Sequence, residues 1–240
     1  MNLFYNPQIQ GDSFELEEQE SKHAIRVLRL VRGNRVILVD GKGGWYEAII
    51  TDDHPKRCKL KIESRSEGYQ PLPYSLHLAV APTKNLDRFE WFLEKATEIG
   101  LTEITPLICR RSERRQLKLE RLEKILVSAM KQSLKAYKPV LNEPVSMEQF
   151  LRTDHRGTLG IAHCYPLERL GINELETSES YTLMVGPEGD FTEEELSEAL
   201  KAGYVPFHLG SSRLRTETAA VYITTAISLR HHLTPVSPGH

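Results

Sequence analysis

Val185-Gly186-Pro187-Glu188-Gly189-Asp190-Phe191 and Leu209-Gly210-Ser211-Ser212-Arg213-Leu214-Arg215-Thr216-Glu217-Thr218-Ala219 decide how this chain is read. Both stretches have one grammar: an apolar run, a glycine-containing turn, then a helical pattern. Tyr181 to Val185 stops at Gly-Pro and reads as a buried strand. Thr192 with Glu195 three positions on forms a capping box, so a helix should open there and run to about Ala202, closed by Gly203. Val205 to Leu209 is the next short strand, and Thr216 to about His231 the last helix. Two strand ends that deliver glycine-rich backbone to one edge of an α/β sheet make a ligand site.

Taken singly, Gly186, Gly189 and Gly210 are ordinary turn glycines. Neither turn fits a common nucleotide loop, because no G-x-G-x-x-G follows a strand and no G-x-x-x-x-G-K-[ST] occurs. Gly41-Lys42-Gly43-Gly44 lies between the strand-like runs Val36–Asp40 and Trp45–Thr51 and reads as a hairpin turn.

Taken together, the pair resembles one family. Gly186, Pro187, Glu188, Gly189 and Phe191, followed by Leu209, Gly210, Leu214, Arg215, Glu217, Thr218 and Ala219, match the two signatures of the 16S rRNA (uracil-1498-N3)-methyltransferases, the RsmE-like branch of the SPOUT superfamily. Asp190 replaces a glycine of that pattern, and Ser212-Arg213 replaces Arg-Ile, which moves a cation by one position. Lys84, Arg88, Glu94 to Gly100, Pro106 and Gln132-Ser133 extend the likeness, as do His23 and Val27-Leu28-Arg29 near the N-terminus.

Composition is that of an ordinary globular chain: 240 residues, 40% hydrophobic, 27% charged, net charge −2. No apolar run approaches the ~18 residues of a membrane helix, and the start, Met1 to Pro7, is not that of a signal peptide. Cys58, Cys109 and Cys164 are far apart and odd in number, which fits reduced, buried thiols in a cytoplasm. The nine histidines form no metal-ligand cluster, so no metal is expected.

Residues 1–70 read as a small β-rich domain, with Cys58 to Glu63 a half-exposed strand. Glu17 to Leu30 has helical spacing, with Ala24, Val27 and Leu28 on one side and Lys22, His23, Arg26 and Arg29 on the other. Gly68, Pro71 and Pro73 mark a linker, and residues 75–240 form the second domain. There strands alternate with helices: Leu76–Ala81, Asp87–Ile99, Ile104–Cys109, Lys118–Tyr137 and Leu159–His163 precede the two signature units. Such alternation means a parallel sheet covered on both faces. The fold class is therefore α/β with a small β domain. The resemblance makes these a SPOUT-type sheet with a trefoil knot and a PUA-like N-terminal β-barrel that contacts RNA.

From Arg110 to Lys138 ten basic residues stand against three acids, +7 in a chain of −2. A solvated helix face mixes signs more evenly, so the excess points to a polyanion, with the plain solvated face as the alternative. Arg110, Arg111 and Arg114 are the derived candidates, and the resemblance adds Arg26, Arg29, Lys84, Arg88 and Gln132 as RNA-binding residues. It also implies S-adenosylmethionine as cofactor, held by Val185, Gly186, Pro187, Glu188, Gly189, Leu209, Gly210, Leu214 and Thr218. The implied substrate is uracil N3 of 16S rRNA in the small ribosomal subunit. Arg215 would stabilise the uracil anion and Glu217 accept its proton, although a carboxylate in a first helical turn can also serve only its own helix. Glu188 has a structural or cofactor-side role. Methylation of a ribose 2′-hydroxyl and RNA binding without catalysis remain as alternatives.

The last helix carries Ala219, Ala220, Val221, Ile223, Ala226, Ile227 and Leu229, apolar nearly all round, so it should be buried on most sides. A central helix of a monomer explains that pattern, and so does the homodimer that the resemblance implies. The residues after Leu233 read as a loose tail.

Overall fold

The computed structural model describes residues 2–233; the tail 234–240 lies outside them. The chain divides into two compact units. One runs to Pro71 and takes in Met130–Lys138; the other holds Leu72–Ala129 and continues from Pro139.

The first unit is a curled five-stranded sheet in the order β1-β3-β4-β5-β2. Its strands are β1 (Leu3–Tyr5), β2 (Ser13–Glu15), β3 (Arg35–Val39), β4 (Trp45–Asp52) and β5 (Lys59–Ser66). The turn between β3 and β4 needs glycine: Gly41 and Gly43 have φ of +76° and +102°. Asp40 Oδ1 fastens it by accepting from the N–H groups of Lys42 and Gly44. Phe4, Leu38, Ile50 and Leu60 are fully buried in the core. The helix expected over Glu17–Leu30 is shorter and differently phased. Helix α1 (Glu18–Lys22) passes into a π-helical turn, His23–Val27, where the Leu28 N–H donates to His23 O and the Leu30 N–H to Ala24 O. The wider turn breaks the 3.6-residue spacing. Ala24 is buried as expected, but Val27 is 66% exposed and Leu30 takes the inward place.

Met130–Lys138 closes this unit. Met130 and Ala136 pack with Leu3, Ile37, Val39 and Trp45, and Lys138 N–H donates to Gly41 O. The long helix expected to reach Tyr137 ends at Gln132, because Leu134 turns left-handed (φ +55°).

The second unit is an eight-stranded sheet, parallel in every ladder among the described residues. Its strands are β6 (Ser75–Val80), β7 (Glu103–Ile108), β8 (Val140–Leu141), β9 (Val145–Ser146), β10 (Thr158–Ala162), β11 (Leu170–Gly171), β12 (Ser180–Val185) and β13 (Val205–His208). The order is β11-β13-β10-β12-β6-β7-β8, with β9 also on β7. Between them run α2 (Leu86–Ile99), α3 (Leu119–Gln132), α4 (Met147–Leu151), α5 (Glu193–Lys201) and α6 (Thr216–Leu233). The pleat of β6 divides its side chains between two cores. Leu76, Leu78 and Val80 join the cluster of α2, α3 and α6, whereas Ala79 joins that of α4 and α5. Helix α6 buries Ala219, Ala220, Ile223 and Ile227 but leaves Tyr222 and Leu229 47% and 50% exposed, so one side of it stays open in this chain. No helix among the described residues is long and apolar enough to cross a membrane.

The expected capping box opens α5. Thr192 Oγ1 accepts from the Glu195 N–H, and Glu195 Oε2 accepts from the Thr192 N–H. The other oxygen, Glu195 Oε1, accepts from the Arg110 N–H at 2.7 Å. Glu195 is buried, so Glu195→Ala leaves two backbone donors without an acceptor. Chemical denaturation should show a loss on the order of 2–4 kcal/mol, larger than the roughly 1 kcal/mol of a lost cap alone.

Candidate active site

A cleft of about 270 Å³ opens at the C-terminal ends of β10, β12 and β13. This is where parallel strands present their exit loops. Val185, Phe207, Leu209, Leu214 and Ala219 supply apolar wall; Glu188, Asp190, Arg169, Arg213 and Arg215 supply charge.

The loop after β12 is tied down residue by residue. Thr216 Oγ1 donates to Gly186 O at 3.0 Å. The Lys84 N–H donates to Glu188 Oε1 at 2.9 Å. Arg111 donates to Gly189 O at 2.8 Å and to Phe191 O at 3.0 Å. Asp190 has φ +62°, a conformation that glycine takes freely and that Asp tolerates better than most residues. Its carboxylate accepts from the N–H groups of Cys164 and Phe191, both at 2.8 Å. The residue that departs from the family glycine thus retains the glycine conformation and fastens the loop to the end of β10. Gly186 is required for packing, since an added Cβ would stand 3.0 Å from the buried Phe191 ring. Gly210 is required for conformation: its φ is +103°, and open space surrounds the position of a Cβ.

Of the expected cofactor residues, Val185, Gly186, Pro187, Glu188, Leu209, Gly210 and Leu214 line the cleft, with Ser212 and Arg213 beside them. Gly189 instead sits against Arg111, and Thr218 lies in a neighbouring shallow groove. That groove is lined by Asp87, Arg88, Trp91, Arg215, Glu217 and Thr218. Arg215 therefore borders both depressions. Glu217 is buried, and its Oε1 lies 3.8 Å from Arg88 Nε.

The basic stretch is partly occupied in holding the fold. Arg114 donates to Lys84 O, Arg115 to Arg110 O, and Arg121 pairs with Glu90 at 2.5 Å. Lys84 Nζ is 2.8 Å from Glu113, and Arg110 is 3.5 Å from Glu194. Arg26, Arg29 and Gln132 belong to the first unit and are exposed.

His163, Cys164 and Arg169 line the cleft and were missed by the sequence reading. The rule that selected the other loops also covers them, since they follow the end of β10, but no glycine marks that exit. Cys164 is exposed there, not buried as expected, because it lies beyond the strand. His163 Nδ1 accepts from the Tyr165 N–H at 3.1 Å, so the neutral ring carries its proton on Nε2, a buried donor without a partner among the described atoms. Burial, with Arg169 beside it, lowers the pKa of this histidine and keeps it neutral.

These residues fit S-adenosylmethionine. The apolar wall suits a flat ring, the arginines and carboxylates suit a charged amino-acid tail, and the glycines let backbone approach the ligand.

Residues 70–228 match the family model described as RNA methyltransferase domain, and residues 16–63 that of RNA methyltransferase PUA domain. The ribosomal RNA small subunit methyltransferase E of Rickettsia conorii is 30% identical over 95% of this chain and 94% of that protein. A crystal structure from Porphyromonas gingivalis, described as a probable rRNA-methyltransferase, superimposes with a TM-score of 0.91 at 37% identity, covering 97% of this chain and 99% of that one. A ribosomal RNA small subunit methyltransferase E from Neisseria gonorrhoeae, bound to S-adenosyl methionine, gives 0.87 at 28% identity, covering 96% and 98%.

Gly210→Val places a β-branched residue at φ +103° and displaces the loop. Calorimetry should show S-adenosylmethionine binding weakened by about tenfold or more in a protein that still unfolds cooperatively, at a midpoint lowered by the backbone strain. Unchanged affinity removes the cofactor from this cleft.

Proposed function

The chain belongs to the ribosomal RNA small subunit methyltransferase E family, and we propose that it transfers a methyl group from S-adenosylmethionine to uracil N3 at the 1498-equivalent uridine of 16S rRNA. The observation that carries this reading is the pair of depressions sharing Arg215: a cleft whose lining suits the cofactor, and a more open groove beside it for the acceptor.

When bound, the cofactor supplies an electrophilic methyl on a sulfonium, so no metal is called for. Uracil N3 carries a proton and becomes a nucleophile only as that proton leaves. In this reading Glu217, a carboxylate lining the groove, takes it. Arg88 Nε lies 3.8 Å from its Oε1. Arg215 stabilises the charge that develops on the uracil oxygens. The walls of the cleft contribute most by placement, holding two reactants in line. Glu188 serves the loop through its bond from Lys84.

RNA is held by the exposed cations Arg26 and Arg29 in the first unit and Arg110 and Lys84 in the second, together with the half-buried Arg88, through phosphate contacts that position without reading sequence. Arg111 and Arg114 have a second task, since their side chains also anchor backbone carbonyls. A cytoplasmic location is part of the same reading, supported by the ribosomal RNA substrate it names. The trefoil knot belongs to the same reading. Its support is the order β13-β10-β12-β6, which sets the last strand beyond β10 and sends α6 back across the sheet to β6 and α2.

The test is direct. Purified protein, S-adenosylmethionine and small-subunit rRNA should yield N3-methyluridine on nucleoside digestion and mass spectrometry, and rRNA from cells lacking the protein should lose that mark. A 2′-O-methyl nucleoside instead moves the reaction to the ribose. RNA binding without any methyl transfer leaves only a binding module.

We further propose a C2 homodimer, supported by the exposed Tyr222 and Leu229 on the open side of α6. Light scattering at micromolar concentration should give about twice the 27.4 kDa chain mass. A monomer with full activity overturns it.

A further inference from the structure

Trp91 stands on α2 in the groove beside the cofactor cleft, with 44% of its surface exposed. It is the apolar member of an otherwise polar set, Asp87, Arg88, Arg215, Glu217 and Thr218. A single exposed apolar residue is unremarkable by itself. Here the indole shares a groove with two arginines and a buried carboxylate, and one of those arginines also borders the cofactor cleft.

Building on the proposed methyl transfer, we infer that Trp91 is the platform on which the target uracil stacks once it has left its RNA stack. Enzymes that modify a base take it out of the helix and read it by stacking and by hydrogen bonds to its Watson–Crick edge. That edge of uracil carries one N–H donor, N3, between two carbonyl acceptors, O2 and O4. The groove offers the complement: one carboxylate, Glu217, and two donors, Arg88 and Arg215. Cytosine would turn a lone pair at N3 toward the Glu217 carboxylate, and that repulsion disfavours it. The indole supplies what the charged residues lack, a face that fixes the plane of the ring so that N3 is aligned with the cleft. Trp91 thus positions the base, while Glu217 and Arg215 act on its reacting atoms.

The experiment compares wild type, Trp91→Phe and Trp91→Ala. Base–aromatic stacking predicts a fall of about 5- to 150-fold in kcat/KM for methylation by Trp91→Ala, with Trp91→Phe much closer to wild type. Affinity for S-adenosylmethionine, measured by calorimetry, should be unchanged in both. A short uridine-containing RNA should quench indole emission in wild type and not in Trp91→Phe, since the remaining tryptophan, Trp45, is buried and stacked on Tyr69. Full activity in Trp91→Ala, or equal quenching in wild type and Trp91→Phe, overturns the platform. So does a Trp91→Ala protein that is monomeric where wild type is dimeric, since Trp91 then belongs to the subunit contact. If wild type itself transfers no methyl to rRNA, the enzymatic reading fails, and the quenching arm still decides whether a base stacks on Trp91.

Discussion

The loop that leaves β12 is held at consecutive residues by segments that follow other elements of the sheet. Thr216, at the start of α6, bonds Gly186 O, and Lys84, after β6, bonds Glu188. Arg111, after β7, bonds Gly189 O and Phe191 O, and Cys164, after β10, bonds Asp190. A glycine-containing loop is costly to order because its backbone loses so much freedom. Four strand exits contribute to that cost here, and in return the exits are fixed relative to one another. The cleft is therefore a property of the sheet edge as a whole, and its geometry depends on contacts between the exits of four strands.

The same contacts change the meaning of the basic stretch. Charge counting treats Arg110 to Lys138 as a set of cations available to a polyanion. In the fold, Arg111, Arg114 and Arg115 donate to backbone carbonyls, Arg121 pairs with Glu90, and Lys131 with Glu20. A guanidinium with five donors satisfies a carbonyl on one side and still presents charge on the other. Structural anchoring thus leaves such a side chain able to meet a phosphate as well. Neutralising Arg111 would disturb the cofactor loop as well as any RNA contact, which makes it a poor probe of either alone.

What the sequence made legible was local grammar. The capping box at Thr192–Glu195, the hairpin glycines at Gly41 and Gly43 and the strand ends at Val185 and Leu209 each depend on a few adjacent residues, and each is found near where its residues put it. What stayed hidden depends on distant partners or on a change of helical pitch. Nothing in the spelling of Glu17–Leu30 announces a π-helical turn, so Val27 was given an inward place it does not occupy. Nothing local ties Met130–Lys138 to the first unit; its apolar side chains meet Leu3 and Trp45 only after the chain has passed through Leu72–Ala129 of the second. The exit of β10 was overlooked because it turns without glycine, and Asp190 read as a departure because the sequence does not display φ.

The site itself divides into a rigid half and an open half. The cofactor side is walled by pinned backbone, whereas the groove with Trp91, Arg88 and Glu217 is shallow and rests on two helix surfaces. That division suits a reaction between a small ligand and one residue of a large folded RNA. The small ligand brings few contacts, so its site must be built in advance to limit the ordering cost of binding. The RNA brings many phosphates, and its binding energy is available to draw one base out of the stack. Arg215 belongs to both halves. It stands just before α6, next to the Thr216 whose hydroxyl fastens Gly186, so the residue shared by the two depressions is positioned beside the contact that shapes the cleft.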